Sequence, residues 1–183
     1  HNDNLIIEDG GFALLDHSAL RMKDSSIHGF VASNFGGAIY SGASKIFLEN
    51  VLFEENKQFP YPSYIFGGGA IYSVQGKVEI RDSVFDNNSS GGQAGSIFLT
   101  DISDFILENS IIEDSVSNHG SAITIMSFDD FSKYKIKNSR ISENKSEQGG
   151  AVVWKGPAGN LDIYGSLFAK NESGSDGAAL ELY

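Results

Sequence analysis

The sequence predicts an all-β protein, a right-handed parallel β-helix of about six to seven coils of roughly 27 residues, spanning residues 1–183 as a single segment. Three observations predict it. One unit recurs along the whole chain. Two separate markers within that unit keep the same spacing. The apolar pieces are short, rich in Ile, Val, Phe and Tyr, and divided by Gly, Asn, Asp and Ser, which suits strands joined by tight turns rather than helices.

Taken in order, the first unit starts at Gly10 as GGFALLDHSALRMKDSSIHGF. Residues 36–56 read GGAIYSGASKIFLENVLFEEN and residues 68–88 read GGAIYSVQGKVEIRDSVFDNN. Weaker copies occupy 95–115, 120–144 and 149–171, and a seventh starts at Asp176. The second small residue of each unit falls at Gly11, Gly37, Gly69, Ser96, Ser121, Gly150 and Gly177, in steps of 26, 32, 27, 25, 29 and 27. The apolar residue of the closing motif falls at Ile27, Phe53, Phe85, Ile112, Ile141 and Phe168, in steps of 26, 32, 27, 29 and 27. The longer steps come from inserted loops at 58–66, 127–133 and 155–160, which leave the ladder positions intact.

A coil alone exposes its apolar face, so stacking must bury it, with like above like. An Asx-rich column (Asp24, Asn50, Asp82, Asn109, Asn138, Gly165) and a Ser-rich column (Ser25, Val51, Ser83, Ser110, Ser139, Ser166) precede the apolar marker. An Asn-rich column follows it: Phe30, Asn56, Asn88, Ser115, Asn144 and Asn171. Asn and Asp tolerate left-handed backbone, and stacked amides hydrogen-bond one another. Two interior columns are expected: Ile39, Ile71, Phe98, Ile123 and Val152, then Ile46, Val78, Ile106, Ile136 and Leu161. No polar cap marks either end, so the solenoid is expected to continue beyond this segment.

The formal net charge of −11 argues against a nucleic-acid or anionic-membrane partner. No apolar run approaches the ~20 residues needed to cross a bilayer, so direct membrane insertion by this segment is not expected. The absence of Cys excludes disulfides and thiolate metal sites.

Candidate chemistry is sparse. Asp129 and Asp130 lie in the same inter-strand loop as Asp101 and Asp104 of the preceding coil, and could form a calcium or carboxylate site or a solvated polar loop. Calcium there is the one cofactor considered. Lys133 and Lys135 lie nearby, while Arg21, Arg81 and Arg140 read as exposed strand residues. His1, His17, His28 and His119 share no column and form neither a metal spacing nor a triad, so no catalytic residue is assigned.

Binding is better represented. The 58–66 insertion carries Phe59, Tyr61, Tyr64 and Phe66, either projecting as a contact loop or folded over the coil. Trp154 opens another insertion, as a second anchor or as a packing residue. Sequons stand at Asn87, Asn88, Asn144 and Asn171, of which Asn87 alone is expected to be exposed.

The paired motifs G-G-A-[ILV], at 36–39, 68–71 and 149–152, and F-x-x-N, at 53–56, 85–88 and 168–171, resemble the repeats of the chlamydial polymorphic membrane proteins. They are similar also to the wider group of pectin-lyase-like β-helix surface proteins. The resemblance implies an extracellular or cell-surface module acting in adhesion, recognition or surface assembly. Its partners would be a protein or glycan at a cell surface, or neighbouring segments of its own chain. A pectin-lyase-like carbohydrate-active enzyme, lyase or hydrolase, is the alternative, and a passive structural spacer the third reading.

Overall fold

The computed structural model describes residues 7–59, 66–128, 132–156, 160–175 and 177–183. Every strand pairing among them is parallel, joining each coil to the next. The result is a β-solenoid of about six turns. One wall is a seven-stranded sheet running from Ile7–Asp9 through Val31–Phe35, Lys57–Gln58, Ser89–Gln93, Val116–His119 and Lys145–Gln148 to Glu172–Ser173. The remainder of each coil belongs to a fourteen-stranded sheet that wraps the core, with runs such as Ile39–Glu54 and Ile97–Glu108.

Left-handed residues produce the corners. The Asx column bends every coil, with φ of 50° at Asp24, 53° at Asn50, 49° at Asp82, 51° at Asn109, 49° at Asn138 and 63° at Gly165. This is the conformation that Asn, Asp and Gly adopt at least cost. A second corner follows at Gly29, Glu55, Asn87, Asp114, Glu143 and Lys170, each immediately before the Asn-rich column. In that corner the Asn does not itself turn left-handed; its amide knits the coils together. Asn56 donates its backbone N–H and its Nδ2 to Asn88 Oδ1, both at 3.0 Å, and Asn88 Nδ2 donates to Phe53 O at 3.0 Å. Asn144 and Asn171 repeat the pattern in the fifth and sixth coils. The Ser column does the same for the Asx corner: Val51, Ser83, Ser110 and Ser139 each donate their N–H to the Ser hydroxyl of the next coil.

The apolar marker is the best stacked column. Ile27, Phe53, Phe85, Ile112, Ile141 and Phe168 are successive register partners, and the Phe53 and Phe85 rings lie 4.7 Å apart and parallel. Each fully buried Phe contributes about 1.5–3 kcal/mol.

Two expected columns need correction in the fourth and fifth coils. Ile97, not Phe98, pairs with Ile71 and Ile123, and Phe98 faces outward opposite Tyr72. Gly95, not Ser96, holds the tight corner, where a Cβ would collide with the Ser121 carbonyl. Ser96 stands where the second, third, fifth and sixth coils carry Ala38, Ala70, Ala122 and Ala151, so the unit starts one residue earlier than the motif suggests. Likewise Phe105 and Tyr134 join Ile46, Val78 and Leu161, while Ile106 faces outward between Glu79 and Lys135. Ile136 is fully buried, but one column along, opposite Leu107. Tyr134 is tolerated inside because its hydroxyl donates to Ile102 O at 3.1 Å.

Candidate recognition surfaces

A solenoid needs apolar residues inside, yet a second apolar cluster lies outside this one. Tyr40, Tyr72 and Phe98 are outward register partners of consecutive coils, at the crease beside the seven-stranded sheet. Their rings stack, with centroids 5.7 Å apart for Tyr40–Tyr72 and 4.9 Å for Tyr72–Phe98. Phe35 reaches across the crease to Tyr72 at 4.7 Å, and Phe66 covers Phe98 at 5.8 Å. Tyr72 is 7% exposed and Phe98 1%. Burial pushes the Tyr72 phenol up to about 12, with neighbouring Tyr40, Asp101 and Asp9 adding to the rise. Tyr40 is raised for the same first reason, so both stay neutral hydrogen-bonding groups at physiological pH.

Above Phe98 the same outward column continues as Thr124, Val153 and Glu181, which are too small or too polar to extend the stack. A polar pocket of about 40 Å³ opens there, lined by Gln93, His119, Thr124, Gln148 and Glu181 among others. Gln93 Oε1 and Thr124 Oγ1 are sealed from solvent and have no hydrogen-bond partner among the described residues. The crease is thus aromatic below and polar above.

The residues singled out in the sequence divide between several places. Phe66 is half-buried against the coil, whereas Phe59 is 42% exposed with the Lys57 ammonium 4.5 Å from its ring centre. Tyr61 and Tyr64 lie outside the described residues. Trp154 stands in an inner column between Ile125 and Leu182 and packs on the main core, with its ring 6.3 Å from Tyr134. It is therefore a core contact rather than a projecting anchor. Asp101 turns an elbow of its coil at φ 52°, the place held by His17, Ala43 and Gln75 in other coils. Asp104 sits outward between Lys77 and Lys133. Asp129 and Asp130 lie outside the described residues, and among those described no three metal-ligating side chains converge.

A second surface is the outer face of the six segments 19–23, 45–49, 77–81, 104–108, 133–137 and 160–164. It holds eight of the chain's 13 basic residues but only five of its 24 acidic ones. Lys23, Glu49, Arg81, Glu108 and Lys137 alternate in sign up one register column. Glu108 bridges Lys137, at 2.6 Å, and Arg81. The Lys137 hydrogen bond, with both cations, holds the Glu108 carboxyl below its ordinary range, and Arg81 does the same for Glu79. Beside this ladder a groove of about 320 Å³ is floored by Phe47, with the Arg21 guanidinium 4.1 Å from its ring centre.

The Tyr40–Tyr72–Phe98 row was missed in the sequence, although its signal was there. The residue after G-G-A-I is Tyr in both best-matching coils, a repeat that the inner columns do not require.

No curated protein and no solved structure matches the chain. The model of the family described as "Right handed beta helix region" matches residues 2–178, nearly the whole chain, and the chain belongs to that family.

Proposed function

We propose that this β-helix is a rigid recognition module at a cell surface, reading a protein or glycan partner in the outer crease near the 58–66 insertion. The observation that carries the reading is the crease itself, where Tyr40 stands partly open at the end of an aromatic row whose inner members Tyr72 and Phe98 are covered by Phe35 and Phe66, and where a polar pocket lined by Gln93, His119, Gln148 and Glu181 follows. Aromatic faces bury large area at low entropic cost, and a few convergent polar groups fix orientation. Holding both on a stacked solenoid removes most of the ordering cost of binding.

The test is binding of the chain to a panel of glycans and cell surfaces, beside Tyr40→Ala and Phe59→Ala, with polysaccharide breakdown followed in the same wells. Saturable binding weakened by Tyr40→Ala at unchanged thermal stability supports recognition in the crease. Release of unsaturated or reducing sugar ends overturns it in favour of a carbohydrate-active enzyme. Absence of binding to every surface leaves the spacer reading in its place.

A further inference from the structure

The net charge of −11 is not evenly spread. The outer face described above has three more basic than acidic residues, which leaves five basic and nineteen acidic residues for the rest of the chain. On that face, ion pairs engage Lys23, Lys77, Arg81 and Lys137. Arg21, Lys45, Lys133 and Lys135 have no carboxylate partner among the described residues.

Around the second corner lies the opposite arrangement. Glu54 and Asp86 are outward register partners on adjacent coils, and Glu55 and Asp114 sit in the corner beside them. None of the four has a basic partner among the described residues. Asp86 is shifted upward, first by burial and then by the nearby Asp114 and Glu55.

The unpaired cations sit on the first, second and fifth coils and the four carboxylates on the second, third and fourth, all along one axis with a repeat of about 4.8 Å per coil. From this segregation of opposite charge onto two faces we propose that two copies of the chain associate side by side, the basic face of one against the acidic ridge of the next. A contact between two different patches is heterologous and leaves one of each free, so it extends into rows rather than closing as a dimer. Net repulsion between copies acts at long range and is screened beyond about 8 Å at physiological ionic strength, whereas facing charges in contact are screened less. Association is therefore favoured at intermediate salt and lost at high salt.

The experiment is sedimentation velocity over a concentration series of the chain at about 0.02, 0.15 and 1 M NaCl, chosen to move the screening length from roughly 20 Å to 3 Å. Self-association at the middle salt that vanishes at the highest is expected. Lys133→Glu/Lys135→Glu and Asp86→Lys/Asp114→Lys should each weaken it at least about tenfold, as rows of like charge then face each other. Mixing the two reversed variants should restore a complex, because the altered face of one now matches the altered ridge of the other. Unchanged thermal midpoints identify folded variants. A chain monomeric at all three salts overturns the proposal. So does association indifferent to both reversals, or a failure of the mixture to restore it. Retention of a monomeric chain on a sulfated polymer would assign the face to an outside polyanion instead.

Discussion

Replacing Asn88 by Ala should unfold this protein more readily than replacing the neighbouring Asn87 by Gly. Asn88 is fully buried, and its amide makes three bonds: it accepts from the Asn56 backbone N–H and Nδ2 and donates to Phe53 O. Asn56 Nδ2 retains its bond to Ile27 O in the variant. The Phe53 carbonyl keeps its place in the parallel ladder with the next coil, but the Asn56 N–H has no second partner among the described residues. A buried backbone group left unsatisfied costs about 1–3 kcal/mol, which sets the expected loss. For a domain of this size that lowers the thermal midpoint by about 4–8 °C at a central loss of ~2 kcal/mol. Asn87→Gly is the control, since Asn87 is exposed with φ 51°, a conformation glycine adopts freely. Paired thermal and urea melts decide the matter. If Asn88→Ala loses less than about 1 kcal/mol, or no more than Asn87→Gly, the amide ladder is not what ties these coils together.

Three other outcomes follow from the same geometry. Asp86 is raised by burial and by Asp114 and Glu55, so folding favours its protonated form, and that contribution is lost as pH rises through the folded value. Asp86→Asn should therefore raise the urea midpoint at pH 7 and lose the advantage near pH ~4, about where an unperturbed Asp titrates. Glu108 is held low by Lys137 and Arg81, so its contribution is present above the ordinary Glu range and falls away as pH drops through the folded value. Glu108→Gln should lower the midpoint at neutral pH and low salt, with a gap that narrows in about 1 M salt. Finally, secretion from a glycosylating eukaryotic host should modify Asn87 alone, because Asn88 and Asn144 are fully buried and Asn171 donates its Nδ2 to Ile141 O; peptide mass spectrometry reads the occupancy, and a glycan on Asn144 would contradict the burial.

How much of this could be read from residues depended on which wall a residue faced. The Asx, Ser and Asn columns and the Ile/Phe marker were legible because each position is fixed by a requirement few residue types meet: a left-handed corner, a hydroxyl or amide ladder, a flat apolar ring. The register slipped in the fourth coil because Gly95-Ser96-Ile97 offers two small residues, and only the corner geometry selects Gly95. It slipped again at Phe105-Ile106, where both neighbours are apolar and alternation does not choose between them. Trp154 was readable in two ways, as an anchor or as a packing residue, because it lies next to an insertion; its register position is inner. The charge segregation was invisible from composition, since −11 is a sum over faces that only the coil path separates.

Inner and outer columns answer to different constraints, and that difference locates function. An inner column repeats because each coil must cover the one below. An outer column is free of that demand, so repetition there calls for a separate cause. For Lys23, Glu49, Arg81, Glu108 and Lys137 the cause is local: alternating signs pair between adjacent coils. For Tyr72 and Phe98 the cause is local too, since Phe35 and Phe66 cover them and leave them 7% and 1% exposed, with Tyr40 partly open at the end of the stack. Pairing among the described residues does not account for Lys45, Lys133 and Lys135, gathered with Arg21 on one face of an acidic body. Stability alone would place mixed charges there. That surplus of cations is the strongest argument that the outside of this solenoid is shaped by partners.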